Sequence, residues 1–257
     1  MNYKVALHTD VGIQKETNQD SCSIKIAATN NGNILLALMC DGMGGLSKGE
    51  VASASLIRAF SEWFSNDLPL HLAQRNPIED IKLRWDRIIK EQNQIIAAYG
   101  RSLHIQLGST ITALIVLEDG KYLIAHVGDS RAYKITDNSI SALTEDQTVV
   151  ARDVKQGKIT AEEAELDPRR NVLLQCVGAS RIVEPVFYYG TAGINECYML
   201  CSDGFRHVVS SQEIQTAFSP SNNMDENIMK KNIVDLIELN KSRNENDNIT
   251  ALLIKIE

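Results

Sequence analysis

Five aspartates stand beside short apolar runs of the chain, three directly after such a run and two shortly before one. Residues 35–40 run straight into Asp41, and residues 198–202 run into Asp203. A single Asp-Gly pair is usually only a turn. Five carboxylates at the ends of predicted strands indicate a shared site at one rim of the fold. In chain order they are Asp20, Asp41, Asp129, Asp203 and Asp247.

Clustered carboxylates repel one another and therefore call for bound cations. A ligand set made of oxygen alone selects hard ions such as Mg²⁺ or Mn²⁺. The 5 histidines show no paired ligand spacing, which argues against zinc. We expect two ions, because three or more carboxylates exceed the needs of one.

The glycine-rich segment at residues 42–45 could suggest a nucleotide site. A P-loop needs GxxxxGK followed by Ser or Thr, but residues 47–49 have the wrong order, and Ser47 stands where a dinucleotide fingerprint needs glycine. We expect these glycines, Gly42 first, to let backbone carbonyls approach a metal beside Asp41.

Serine and cysteine nucleophiles are disfavoured. The chain contains no GxSxG motif, and His126 is the only imidazole near Ser109 and Ser130. Cys176 lacks the CxxxxxR spacing of a phosphate-binding loop, because Arg181 falls one residue short.

Short runs rich in Ile, Val, Leu and Ala predict strands, and turn sequences rather than helices separate most of them. These runs are residues 21–27, 34–40, 110–117, 122–127, 131–135, 198–201 and 249–256. Helical periodicity predicts helices at about 50–65, from Pro77 to about 99, and around 229–237. The predicted class is α+β, with antiparallel sheets covered by helices.

The polar segment at residues 146–179 follows neither pattern. It predicts a surface excursion with one short helix at about 161–166, in which Thr160 is the N-cap and Glu163 completes a capping box. No internal repeat divides the chain, so we expect residues 1–257 to form a single domain.

Composition excludes several classes of protein. The chain has 26 Lys+Arg against 33 Asp+Glu and no basic cluster, which disfavours nucleic acid as a partner. No apolar run is long enough to span a membrane, and the first residues do not look like a signal peptide. The 5 scattered cysteines suit reduced thiols, and we expect a cytoplasmic protein.

Eight short motifs, in this order, resemble those of the metal-dependent serine/threonine protein phosphatases, the PPM or type-2C family, in its bacterial branch. Each motif alone is weak, but the ordered set spans nearly the whole chain. The motifs are Thr9-Asp10-Val11-Gly12, Asn18-Gln19-Asp20, Asp41-Gly42-Met43-Gly44-Gly45, Gly108-Ser109-Thr110, Val127-Gly128-Asp129-Ser130-Arg131, Leu143-Thr144-Glu145-Asp146, Ser202-Asp203-Gly204 and Asp247-Asn248-Ile249-Thr250.

The resemblance implies a set of metal ligands. Asp41 would bridge two Mn²⁺ or Mg²⁺ ions. Asp20 and the Gly42 carbonyl would lie on one side, and Asp203 and Asp247 on the other.

The resemblance also implies the fold, an αββα sandwich of two central antiparallel sheets flanked by helices, with the metal site at one end. Asp129 and Asp203 resemble a third, weaker metal site of bacterial members. Residues 146–179 resemble the flap that lies beside the active site in that branch.

The implied reaction is hydrolysis of phosphoserine and phosphothreonine in proteins by a metal-bridging hydroxide, with Asp41 and Asp20 in the catalytic centre. The family places an arginine three residues after Gly12 to grip the substrate phosphate. Here Lys15 takes that catalytic, substrate-binding position and offers only a point contact. The alternative is that Lys15 is solvated and that another cation, such as Arg169, holds the phosphate. Met43 stands where animal enzymes carry histidine, so no side chain is assigned to protonate the leaving group.

These inferences predict a monomeric phosphatase that acts on phosphorylated proteins and opposes a serine/threonine kinase. The alternative is a catalytically weak or silent regulator of the same fold that binds metal or a phosphoprotein, which Lys15 favours. A sporulation or stress-response phosphatase acting on one anti-sigma antagonist shares the chemistry and differs only in its partner.

Overall fold

Two antiparallel sheets form the centre of the molecule. The computed structural model describes residues 1–44 and 48–257, so Gly45 and Ser47 of the glycine-rich segment lie outside the described residues. The strands are β1 Tyr3–Asp10, β2 Asp20–Thr29, β3 Gly32–Gly44, β4 Leu107–Ser109, β5 Ile111–Val116, β6 Lys121–Val127, β7 Arg131–Ile135, β8 Ile140–Ala142, β9 Val186–Thr191, β10 Cys197–Cys201 and β11 Ile249–Ile256.

One sheet has the order β1-β11-β10-β7-β8, and the other has the order β2-β3-β5-β6-β9, with β4 pairing to the end of β3. All of the pairings between these strands are antiparallel. The hairpin turns predicted between residues 27 and 34, 117 and 122, and 135 and 140 therefore join neighbouring strands.

The helices cover the outer faces of the two sheets. α1 and α3 share a buried cluster with β3 and β5, and α7 and α8 share another with β10 and β11. The helices are α1 Gly49–Asn66, α2 Leu68–Leu72, α3 Pro77–Leu103, α4 Val149–Lys155, α5 Ala161–Leu166, α6 Asp203–Arg206, α7 Ser211–Phe218 and α8 Glu226–Ser242, with a 3₁₀ turn at Pro220–Asn222. The expected helix, sheet, sheet, helix layering is confirmed.

β3 shows why the central strands read as continuous apolar runs. Leu35, Ala37 and Met39 face the opposite sheet, whereas Leu36 and Leu38 face the helices. Side chains alternate between the two faces of a strand, so a strand covered on both faces is apolar at every position.

All seven strands predicted from apolar runs are present, and four others were missed. Three of the missed strands, β1, β8 and β9, lie at sheet edges, and the fourth, β4, has only three residues. β9 has no buried residue, and its run Val186–Tyr189 was not identified as a strand. The short helices α2, α4, α6 and α7 were missed as well, since four to eight residues give little periodicity.

The segment at residues 146–179 contains the predicted helix as α5, and the capping box of Thr160 and Glu163 is confirmed. Its end is not on the surface, in contrast to the prediction. Val177 is fully buried and exchanges two backbone hydrogen bonds of 2.9 Å with Ser109.

The cysteines are free thiols, as predicted, and four of the five are buried. In residues 1–44 and 48–257, no helix combines the length and the apolar character needed to cross a membrane.

Candidate metal centre

Asp20 and Asp41 face each other across the β2–β3 pair. Asp20 is the first residue of β2, and its register partner in β3 is Asp41. The Thr110 hydroxyl accepts a hydrogen bond from the Asp41 amide (2.9 Å), and the Thr110 amide donates to the Asp41 carbonyl (2.8 Å). The end of β3 is therefore clamped to the loop between β4 and β5.

The other three aspartates come from the ends of neighbouring strands. Asp203 opens α6 directly after β10, Asp247 lies two residues before β11, and Asp129 lies between β6 and β7. The five carboxylates lie close enough to one another at one rim to interact electrostatically. Burial raises the pKa of Asp41 well above its usual range, and repulsion from the other four carboxylates raises it further.

The same two causes act on Asp20 and Asp129. Burial raises the pKa of Asp20 to about 7, and Asp203 and Asp247 add to the shift. Burial also raises the pKa of Asp129 to about 7, with Asp203 adding to it and Arg206 opposing it. These carboxylates are destabilised as anions, and a bound cation would relieve that cost.

Among the described residues, five buried carboxylate oxygens have no hydrogen-bond partner, and three of them belong to the aspartates of this rim: both oxygens of Asp20, and Oδ1 of Asp203. The Ser202 hydroxyl accepts from the Thr250 amide (3.1 Å), and the Thr250 hydroxyl pairs with that of Thr9 (2.7 Å). Both hydroxyls also lie near Asp20 and partly offset the effect of burial on its pKa. Unpartnered buried oxygens are costly. An all-oxygen set of this kind fits Mg²⁺ or Mn²⁺.

The five carboxylates lie at the same rim, but their side chains do not converge on one point. Within the described residues, no three His, Cys, Asp or Glu side chains converge closely enough to hold a metal ion as they stand.

Gly42 lies where β3, the start of α1 and the loop before β2 meet. A Cβ at this position would lie 2.3 Å from the Gly49 carbonyl oxygen and 2.5 Å from that of Gln19. The Gly42 amide donates to the Gln19 carbonyl (3.1 Å). The Gln19 side-chain amide, oriented to satisfy its hydrogen bonds, donates to the Gly42 carbonyl (3.2 Å), which keeps a second lone pair.

Lys15 lies at the same rim, in the loop between β1 and β2. Its Nζ is 2.8 Å from Oδ1 of Asp247. Burial lowers the pKa of Lys15, but the contact with Asp247 outweighs burial and the net shift is upward. The ammonium therefore stays charged beside the carboxylates.

We predict that Lys15→Arg lowers the KM for a small phosphoester about fivefold, because a guanidinium can hold a phosphate through two hydrogen bonds, worth ~1 kcal/mol more. Steady-state kinetics at saturating Mn²⁺ measure this, with the surface substitution Lys121→Arg as control. An unchanged or higher KM would contradict a phosphate-binding role for position 15.

Several polar residues at this rim were not singled out from the sequence. The Asn248 side chain accepts from the Gln19 amide (2.9 Å) and donates to the carbonyls of Val11 (2.9 Å) and Thr17 (3.2 Å). It therefore holds the loop that carries Lys15. Its place directly after Asp247 in a recognised motif was the signal available.

A second group of polar residues connects the start of the 146–179 segment to the rim that carries the aspartates. Arg131 binds Asp146 through two hydrogen bonds of 2.6 and 2.7 Å. Arg206 Nη2 donates to Asp146 Oδ2 and to the Asp129 carbonyl, both at 3.0 Å. Arg131 and Asp146 belong to two of the eight family motifs, but no sequence signal pointed to Arg206.

His207 and Glu245 form a third group. His207 lies 3.4 Å from Oδ2 of Asp203 through Nε2, and 3.3 Å from Oε2 of Glu245 through Nδ1. Burial lowers the pKa of His207, but the two carboxylates outweigh it and the net shift is upward. The two residues are far apart in sequence, so no spacing could link them.

His126, the imidazole nearest the serines, is fully buried. Its ring nitrogens contact the Thr112 hydroxyl (3.0 Å) and the Glu145 carbonyl (3.1 Å). Burial lowers its pKa to about 4. It packs as a neutral core residue, consistent with the exclusion of a serine–histidine hydrolase.

Comparison with known proteins gives one consistent result. The family model described as "Protein phosphatase 2C" matches residues 12–238. The serine/threonine phosphatase stp of Listeria monocytogenes is 30% identical over 249 residues, covering 96% of this chain and 93% of that protein.

Solved structures agree over the whole length. The serine/threonine phosphatase of S. agalactiae superposes with a TM-score of 0.85 at 29% identity, covering 100% of both chains. The catalytic domain of the serine/threonine protein phosphatase PstP, solved in complex with 2 manganese ions, superposes with a TM-score of 0.79 at 27% identity, covering 99% of both chains.

Proposed function

This chain belongs to the protein phosphatase 2C family and is a metal-dependent protein serine/threonine phosphatase, and we propose which of its residues carry the reaction. Asp41, Asp20, the Gly42 carbonyl, Asp203 and Asp247 would hold two Mn²⁺ or Mg²⁺ ions, and Asp41 would be the ligand that both ions share. The observation that supports this most is the Asp20–Asp41 register pair, together with the two unpartnered buried oxygens of Asp20.

When bound, two such ions lower the pKa of a water molecule between them and neutralise charge on the phosphoryl oxygens. The chain supplies the geometry. Thr110 fixes the backbone of Asp41, Asn248 holds the loop before Asp20, and Lys15 offers a fixed positive charge to the substrate phosphate.

Proton delivery to the leaving group is not assigned to a side chain at position 43. Met43 has no titratable group, so the proton for the leaving oxygen would come either from water or from another residue of the site. This differs from the histidine that the animal enzymes of this family carry there.

Asp129 and Asp203 form the proposed third, weaker metal position. Repulsion between their carboxylates supports it, because Asp203 contributes to the raised pKa of Asp129.

The test is hydrolysis of p-nitrophenyl phosphate and of a phosphothreonine peptide by the full chain. We expect turnover in Mn²⁺, loss of turnover in excess EDTA, and recovery on adding Mn²⁺ back. Mn²⁺ binding measured without substrate separates two failures. Binding without turnover would favour the silent regulator, whereas no binding would refute the proposed ligands.

We further propose that residues 1–257 act as one catalytic domain and that residues 146–179 serve as a flap beside the site. The protein works as a monomer in the cytoplasm, removing phosphate that a serine/threonine kinase adds to proteins.

A further inference from the structure

One buried carboxylate contacts both the loop that carries Asp247 and an imidazole at the end of α6, the short helix that Asp203 begins. Glu245 is only 6% exposed. Its Oε1 accepts hydrogen bonds from the amides of Asn246 (2.8 Å) and Asp247 (2.9 Å). Its Oε2 lies 3.3 Å from Nδ1 of His207.

His207 continues the contact to Asp203. The other ring nitrogen, Nε2, lies 3.4 Å from Oδ2 of Asp203, at the opposite end of the short helix α6. This engages one oxygen of Asp203 and leaves Oδ1 buried without a partner. The imidazole therefore selects which oxygen of Asp203 remains free to act as a ligand.

The backbone before β11 aims Glu245 at this position. Asn244 adopts a left-handed conformation (φ +62°), and the Glu245 amide donates to the Asn240 carbonyl near the end of α8 (3.1 Å). The chain reverses direction there, which brings the Glu245 side chain within hydrogen-bond distance of the amides of Asn246 and Asp247.

We propose that Glu245, acting through His207, is a positioning residue that ties Asp203 and Asp247 together as one ligand pair. The inference rests on the proposed ligation by these two aspartates. Two carboxylates on separate strands repel each other, and a shared partner opposes that repulsion. Groups that orient metal ligands in this way commonly change metal affinity 10–100-fold.

The test is a double-mutant cycle on Mn²⁺ affinity, measured by calorimetry on the full chain without substrate. Glu245→Gln keeps an oxygen that can accept from the Asn246 and Asp247 amides but removes the charge facing His207. We expect Glu245→Gln to raise the Kd of one Mn²⁺ about 10-fold or more. We expect the same substitution to change little in a His207→Ala background, since the link is already broken.

Glu257→Gln is the matched control. Glu257 is a glutamate that pairs with Lys4 (2.6 Å) beside the end of β11 opposite Asp247. Its substitution should leave the Mn²⁺ affinity unchanged. Thermal unfolding in EDTA serves as a second readout. A positioning role leaves the midpoint of Glu245→Gln close to that of the parent, whereas a merely structural role lowers it.

The possible failures are distinct. If the parent protein binds no Mn²⁺, the proposed function fails first. If the parent binds Mn²⁺ and Glu245→Gln binds it equally well, the positioning role is overturned. An equal loss of affinity in the presence and absence of His207 also overturns it, because Glu245 would then act only through its charge.

Discussion

Asp41→Asn should reduce the kcat of Mn²⁺-dependent phosphoester hydrolysis by about 10³-fold or more. The other four carboxylates all raise the pKa of Asp41. Asp41 also lies directly opposite Asp20 in the β2–β3 pair. The asparagine side chain has the same shape as aspartate and keeps the packing, but it lacks the negative charge that would hold the two cations. Steady-state kinetics over a range of Mn²⁺ concentrations measure the loss.

The same substitution should have the opposite effect on stability in EDTA. Burial and repulsion from neighbouring carboxylates raise the pKa of Asp41, so at neutral pH this carboxyl group destabilises the folded state relative to the unfolded chain. Removing the charge should therefore raise the melting temperature by about 2–4 °C for each kcal/mol relieved. In excess Mn²⁺ the order should reverse, because the parent protein gains more from binding.

Asp119→Asn provides the control. Asp119 is an exposed aspartate that pairs with Lys121 (2.7 Å) at the opposite end of β6 from Asp129. It should alter neither activity nor the response to Mn²⁺. Full activity of Asp41→Asn would remove Asp41 from the catalytic centre.

Gly42→Ala should both destabilise the fold and abolish Mn²⁺ binding. The added Cβ would lie 2.3 Å from the Gly49 carbonyl oxygen, and that obstacle is backbone rather than a movable side chain. The end of β3 must separate from the start of α1, which also displaces Asp41. Overpacking of this kind costs about 3 kcal/mol, or roughly 6–12 °C in melting temperature for a domain of this size.

Gly157→Ala separates this steric cost from the general cost of adding a methyl group. Gly157 has a positive φ of +68° and nothing within 4 Å of an added Cβ. It should lose only about 1 kcal/mol from backbone strain and keep its Mn²⁺ affinity. Thermal unfolding and calorimetry measure both variants. If Gly42→Ala melted within 2 °C of the parent, the close approach would not be needed.

Residues buried on both faces of a sheet were the easiest to predict. β7 and β11 were predicted with the observed bounds, and β3, whose side chains are covered on both faces, gave a continuous apolar run. The edge strands β1 and β9 escaped prediction because their half-exposed side chains leave little pattern. The capping box of α5 was predicted because its signal lies within four residues.

The sequence by itself determined the family and the α+β class and pointed to the five aspartates, because these depend on short motifs and on where each apolar run ends. Only the tertiary structure decided which residues surround those aspartates. Lys15 meets Asp247, and Glu245 meets His207, across separations that no local pattern spans. Such contacts arise from the way strands from distant parts of the chain end at one rim, and the charges that meet there set the pKa values of the carboxylates.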